Sequence, residues 1–170
     1  MGSLTWFITG ASRGFGRELT EQLLARGDRV AATARRPQQL DDLAARYGPD
    51  RLWRAVLDVT EPGAPCAVAE AAWQDLGRVD VVVSNAGYGV IGAAEELDDA
   101  QVEGVIATNL VGSIQVARAV VPHFRAQGGG RLLQVSSMGG QMAFPGFSLY
   151  HASKWGIEGF FEALGPEVAP

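Results

Sequence analysis

The sequence predicts an α/β fold: a doubly wound parallel sheet in strand order 3-2-1-4-5, with helices on both faces. Three observations carry that prediction. Short β-type runs alternate with longer helical ones along the whole chain. The run Val79-Asp80-Val81-Val82-Val83 is nearly continuous valine, which suits a strand buried on both faces and hence a parallel sheet. The glycine-rich stretch Thr9-Gly10-Ala11-Ser12-Arg13-Gly14-Phe15-Gly16 joins the first apolar run to a segment of helical periodicity. Right-handed crossovers between parallel strands then fix the order and place a ligand beyond their carboxyl ends.

Taken in order, residues 4–9 form the first strand and 15–26 the first helix, which Gly27-Asp28 stops. Residues 29–34 are the second strand, and Pro37 suits the first position of a helix over 37–47. The third strand is 52–57, the third helix 66–76 and the fourth strand 79–84. Residues 99–127 make a long helix, broken or kinked near Asn109, bent by Pro122 and ended by Gly128-Gly129-Gly130. A fifth strand over 130–135 and a last helix over 150–164 complete the chain. Neither repeat nor linker divides it, so residues 1–170 read as a single domain, and a chain of this length buries roughly 70% of its unfolded surface.

Composition excludes several functions. At 47% hydrophobic and 19% charged residues the chain is globular, and a net charge of −5 with Arg35-Arg36 as its tightest basic cluster argues against nucleic acid. The lone Cys66 forms no internal disulfide and fits a reducing compartment. No basic segment with a following apolar run opens the chain, and nowhere do eighteen apolar residues stand together, so the expectation is a cytoplasmic protein without signal or membrane span. His123 and His151 lack ligand spacing, so no metal is expected; His123 reads as a surface group near a helix end and His151 as a neighbour of Tyr150.

A glycine turn opening a helix leaves free N–H groups where the helix dipole favours an anion. Gly10 permits the tight turn, Gly14 lets backbone approach a pyrophosphate, and Gly16 lets helix and strand lie close. The other strand exits carry Arg35-Arg36, Asp58, Asn85-Ala86-Gly87 and Ser136-Ser137, which would line one edge of the sheet as a dinucleotide-binding domain does. Tyr150 and Lys154 stand at i and i+4, on one helix face. An ammonium beside a phenol favours its phenolate, so the pair can exchange protons, and Ser137 could hold the same substrate oxygen. Read alone, these residues admit a plainer account: a packed tyrosine ring, a solvated lysine and a turn serine.

Thr9-Gly-x-x-x-Gly-x-Gly16, Asn85-Ala86-Gly87, Asn109, Ser137 and Tyr150-x-x-x-Lys154 together resemble the ordered motifs of the classical short-chain dehydrogenase/reductase family, across essentially the whole chain. The thirteen residues from Ser137 to Tyr150 match the family spacing. The resemblance implies a Rossmann-like fold, with Tyr150 as proton donor or acceptor, Ser137 orienting the substrate oxygen, and Lys154 lowering the Tyr150 pKa and holding the nicotinamide ribose. It makes Asn109 the anchor of a water in a proton relay, against the alternative of a polar residue at a helix break. Asn85 would brace the sheet and approach the cofactor with Ala86 and Gly87, and Asp58 with Val59 would contact the adenine, the alternatives being a strand cap and a turn former. The resemblance also implies an oligomer through the helices carrying Asn109 and Tyr150.

The residue before Asn85 is Ser84, where the family commonly has asparagine, a small polar exchange. The sequence ends at Glu167-Val168-Ala169-Pro170, whereas family members continue into two more strands and a loop over the nicotinamide, so the domain is expected to be incomplete at its carboxyl end and inactive in this form. In the window of the ribose-binding acid of NAD sites stands Thr33-Ala34-Arg35-Arg36, with no carboxylate. The guanidinium groups of Arg35 and Arg13 suit a 2′-phosphate, whereas Arg36 is equally a phosphate ligand or a solvated helix-start residue. Ser12 and Phe15 complete the phosphate turn. The expected function is therefore NADP(H)-dependent transfer of hydride to or from the carbonyl or secondary alcohol of a small, apolar substrate, suggested by Met142-Ala143-Phe144-Pro145. The alternative is a nucleotide-binding module without turnover. Phe144, Phe147, Trp155, Phe160 and Phe161 fit a substrate wall, but core and subunit packing is the commoner explanation.

Overall fold

The computed structural model describes residues 2–169. Its strands β1 (Thr5–Thr9), β2 (Arg29–Ala34), β3 (Leu52–Val56), β4 (Val81–Ser84) and β5 (Arg131–Gln134) pair in parallel in the order β3-β2-β1-β4-β5. The valine run lies at the centre, with Val81, Val82 and Val83 in register with Trp6, Phe7 and Ile8 of β1. Successive side chains fall on opposite faces, as the period of a strand demands. Phe7, Ala31 and Val82 join one core cluster, whereas Ile8, Val30, Ala32, Val81 and Val83 join the other.

The helices are α1 (Gly14–Arg26), α2 (Asp41–Tyr47), α3 (Ala64–Leu76), α4 (Asp99–Ile106), α5 (Ser113–Ala126) and α6 (Ser148–Val168). Leu23 and Leu24 of α1 and Leu43 of α2 cover one face of the sheet; Ala69 and Ala72 of α3 with Val116, Val120 and Phe124 of α5 cover the other. Gly27 ends α1 in the left-handed region, its N–H bonding the carbonyls of Leu23 and Leu24.

The last helix is longer than expected, Ser148–Val168 instead of 150–164, and the third starts two residues early, at Ala64, while three further details bear on the site and the sheet. Residues 37–47 are not one helix: a 3-10 turn over Pro37–Leu40 precedes α2, because Leu40 leaves helical geometry and Asp41 and Asp42 supply a new acidic first turn. The break at Asn109 is a π-helical turn, Ala107–Gly112, which joins α4 to α5. Strand β4 starts two residues late, since pairing begins at Val81, although Val79 is fully buried. The rod Asp99–Ala126 is 28 residues long and, by length and composition alone, apolar enough to cross a membrane. Its packing is that of a core helix, with α5 buried against α3 and the sheet. His123 is not a free surface group: it stacks on Trp73 with centroids 4.5 Å apart and lies 3.6 Å from a Glu70 carboxylate oxygen.

Candidate active site

The carboxyl ends of the strands open onto a cleft of about 1010 Å³. Gly10, Ser12, Arg13, Gly14 and Phe15 enter it after β1, Arg35 and Arg36 after β2, and Asp58 and Val59 after β3. Asn85, Ala86 and Gly87 enter after β4 and Ser136 after β5, with Tyr150 and Lys154 of α6 also on its wall. Gly16, Asn109 and Ser137 stand outside this lining, the first two buried behind it.

The phosphate turn is shaped by what side chains would collide with. Gly10 has φ +66°, and a Cβ there would lie 3.0 Å from Ala86 Cα. A Cβ on Gly16 would come within 2.5 Å of both Asn85 Nδ2 and the Gly10 carbonyl oxygen, so only glycine allows α1 to start this close to β1. Gly14, at φ +56°, faces open space. Thr9 Oγ1 accepts the N–H groups of Asn85 at 2.9 Å and Ala86 at 3.0 Å, while Asn85 Nδ2 donates to the carbonyls of Thr9 at 2.9 Å and Gly10 at 3.2 Å. The turn after β1 and the exit of β4 are thereby one unit. Asn85 braces it.

This turn fits a dinucleotide phosphate. Arg13 at the start of α1 is extended and makes no capping bond, and the first turn carries no acid, so the leading N–H groups of a 13-residue helix have no side-chain partner among the described residues. Arg13, Arg35 and Arg36 are exposed at the rim. Asp58 forms a turn, accepting Thr60 N–H at 3.0 Å and Thr60 O–H at 2.7 Å, and it also lines the cleft. Burial pushes its carboxyl up, but the two Thr60 bonds and the Arg35 charge more than offset this and hold it below its ordinary value.

At the other end, Asn109 is wholly buried and its side chain joins two elements. Its Oδ1 accepts Tyr88 N–H at 2.9 Å, and its Nδ2 donates to Tyr88 O at 2.8 Å and Ser153 Oγ at 3.1 Å. Ser153 in turn donates to the Tyr150 carbonyl at 2.7 Å. Both amide protons are spent, so a relay water would fall to the main chain or to the second Oδ1 lone pair. The side chain's evident work is to clamp the β4 exit to α6. Gly89, next to the clamped Tyr88, lies so near the Tyr150 ring that a Cβ would stand 3.4 Å from its Cδ2.

Lys154 is buried beneath Tyr150, its Nζ donating to Val135 O at 3.0 Å and lying 5.7 Å from the Tyr150 ring centroid. Burial lowers its pKa below the ordinary lysine value against the opposing Glu158 carboxylate. Ser137 lines a second cavity of about 360 Å³ with Met138, Gly139, Phe144, Phe147, Tyr150 and His151. Its Oγ accepts Gly139 N–H at 3.0 Å and donates to none of the described residues. Tyr150 and Phe147 belong to both cavities and form the junction between them, where Tyr150 brings a hydroxyl.

Phe144 and Phe147 therefore form a cavity wall, whereas Trp155 is half exposed on α6. Sequence reasoning missed Tyr88, Gly89 and Ser153. Two signals were present: Tyr88 and Gly89 follow Asn85-Ala86-Gly87 directly, and Ser153 sits three residues after Tyr150, on its helix face. Among the described residues no group of three or more His, Cys, Asp or Glu side chains gathers as a metal site.

Comparison with known proteins adds a family match, a relative and two solved structures. The family model described as short chain dehydrogenase matches residues 5–170. Oxidoreductase BOA17 of Botryotinia fuckeliana is 42% identical over 164 residues, covering 96% of this chain and 60% of that protein. Among solved structures, a short-chain dehydrogenase from Streptomyces avermitilis is similar with TM-score 0.93 at 42% identity, covering 100% of this chain and 62% of its own. A metagenomic short-chain oxidoreductase in complex with NADP is similar with TM-score 0.88 at 30% identity, covering 97% and 76%. The chain spans about three fifths of the length of the relatives it matches first.

Proposed function

The chain belongs to the short-chain dehydrogenase family, and from that premise we propose that the protein is an NADP(H)-dependent oxidoreductase acting on the carbonyl or secondary alcohol of a small, apolar substrate. The observation that carries this reading is the position of Tyr150, shared between the large cleft and an apolar cavity that also holds Ser137. The cofactor, when bound, supplies hydride-transfer chemistry. In reduction Tyr150 Oη gives its proton to the substrate oxygen, and in oxidation it takes that proton back. Ser137, its lone pair engaged by Gly139 N–H, offers its O–H to the same oxygen and holds it as charge develops. Lys154, anchored on Val135 O, sets a positive charge near the Tyr150 ring and holds the nicotinamide ribose. Phe144 and Phe147 make the wall that selects an apolar substrate. Asn109 keeps Tyr88 and α6 in place around these groups.

At the adenine end Gly10, Ser12, Gly14, Phe15 and the N-terminus of α1 hold the pyrophosphate, and Asp58, Val59 and Asn85-Ala86-Gly87 flank the nucleoside parts. Arg13 and Arg35 take the 2′-phosphate, because guanidinium forks match phosphate and Ala34 brings no carboxylate to compete. Val102, Val111 and Trp155 on α4, the π turn and α6 are exposed apolar side chains that a second copy would cover, and the free, exposed Cys66 suits the reducing cytoplasm. The test is titration of NADPH and NADH by nicotinamide fluorescence. NADPH binds more tightly, and Arg35→Asp inverts the preference; equal affinities in the unsubstituted protein would rule the NADP reading out.

A further inference from the structure

His151 is 7% exposed, and both ring nitrogens are engaged on opposite edges of the imidazole. Phe144 N–H donates to Nε2 at 3.0 Å, and Nδ1 lies 2.8 Å from the Gly139 carbonyl oxygen. A backbone amide can only donate, so Nε2 carries no proton; a neutral imidazole then carries it on Nδ1, which donates to Gly139. The main chain thus selects the tautomer. Both partners are walls of the cavity that contains Ser137 and Tyr150. Gly139 N–H is the group that fixes Ser137 Oγ, and a Cβ on Gly139 would stand 2.6 Å from His151 Nδ1, so the ring lies directly on this backbone. On the other side, Phe144 belongs to a stretch without helix or strand, between the 3-10 turn Met138–Gly140 and α6, and its N–H partner among the described residues is His151.

We infer that His151 is a positioning residue: its imidazole, as the Nδ1–H tautomer, braces the serine-bearing wall against the Phe144 wall and so sets the width of the substrate cavity. The brace stands on α6 next to Tyr150, so one rigid helix carries both the reacting hydroxyl and the spacer that fixes what faces it. The part about substrate rests on the proposed function; the part about the walls does not.

The test begins with the unsubstituted protein, in which long-range proton–nitrogen correlation spectra of the ring are expected to show protonated Nδ1 and bare Nε2. An Nε2–H tautomer would overturn the inference. Amide exchange at Phe144 is then compared in three variants, of which His151→Gln keeps an acceptor near the Nε2 position, His151→Asn keeps a donor near the Nδ1 position and His151→Phe keeps ring volume only. Loss of one hydrogen bond predicts exchange about tenfold faster in the Asn and Phe variants, with recovery in the Gln variant. Equal exchange in all of them would also overturn the inference. With NADPH and acetophenone as the probe pair, His151→Phe is expected to raise the acetophenone KM about tenfold, the same single-bond effect, and to leave the NADPH Kd within about twofold, because the brace stands outside the cofactor cleft. A lower kcat at unchanged KM would contradict control of cavity width. The kinetic comparison is made in the protein at the length of its relatives, of which this chain spans about three fifths; if that form turned over no ketone, the oxidoreductase reading would fail, while the tautomer and exchange results would still decide on the brace.

Discussion

Around Gly10–Gly16 the cleft wall is main chain, an uncapped helix end and exposed guanidinium groups; around Tyr150 the buried side chains of Asn109, Ser153 and Lys154 are each held by hydrogen bonds. Phe15 at the first end is 84% exposed, whereas Asn109 and Lys154 at the second are 0% and 5% exposed. The difference follows from the two tasks. Binding a diphosphate needs unpaired N–H groups and room for the anion, which main-chain geometry supplies. Moving a proton needs one hydroxyl held within hydrogen-bond reach of one oxygen, which takes neighbours that cannot shift. Stability and function should therefore separate differently at the two ends.

The largest effect is expected at the reacting hydroxyl. Made in the full-length form, Tyr150→Phe keeps the ring against Gly89, so NADPH binding should change only a few-fold, while turnover falls at least ~100-fold, the low end for loss of an acid–base group. Steady-state kinetics with fluorescence titration checks both. Near-normal turnover would return Tyr150 to a packing role and erase the contrast between the ends. Gly16→Ala tests the other end, where the obstacle is main chain at 2.5 Å and cannot swing away. Overpacking there should cost about 3 kcal/mol in urea unfolding and weaken NADPH binding as well. A silent Gly16→Ala would show that the turn is not shaped by sterics. Asn109→Leu removes three hydrogen bonds but fills the space. Because Tyr88 is 41% exposed and water can satisfy part of its backbone, the expected stability loss is smaller, about 2 kcal/mol. It should also lower kcat more than it alters NADPH affinity. The reverse order of those two effects would place Asn109 in the binding end rather than the catalytic one.

The backbone-built end was the more legible of the two in the sequence. Glycine spacing states directly where a Cβ cannot go, and strand exits follow from alternating periodicity, so the sequence alone puts all five exits on one edge, where the cleft lies. Sheet order was equally readable, because right-handed crossovers leave little choice once five strands are found. The catalytic end was legible as residue types and not as bonds. Periodicity shows that helix 99–127 is interrupted at Asn109, but not that the amide then reaches Tyr88 and Ser153, which lie 21 and 44 residues away. The sequence also groups Ser136 with Ser137, whereas the chain turns one into the large cleft and the other into the smaller cavity. A strand's alternation makes that separation natural; only the register of the exit decides which serine goes where.

The π turn at Ala107–Gly112 works as a phase shift. One extra residue in a helical turn rotates everything beyond it by about 100° relative to a regular helix. The sheet-facing stripe of α5 and the inward amide of Asn109 are therefore written in different frames of the same rod, with Gly112 packed where a Cβ would meet Val59 Cγ2 at 2.6 Å. In such a rod, exchanging one side chain for another disturbs a place, but deleting a single residue between 107 and 112 restores a uniform frame and misaligns a whole face. Length in this segment is accordingly under tighter constraint than identity.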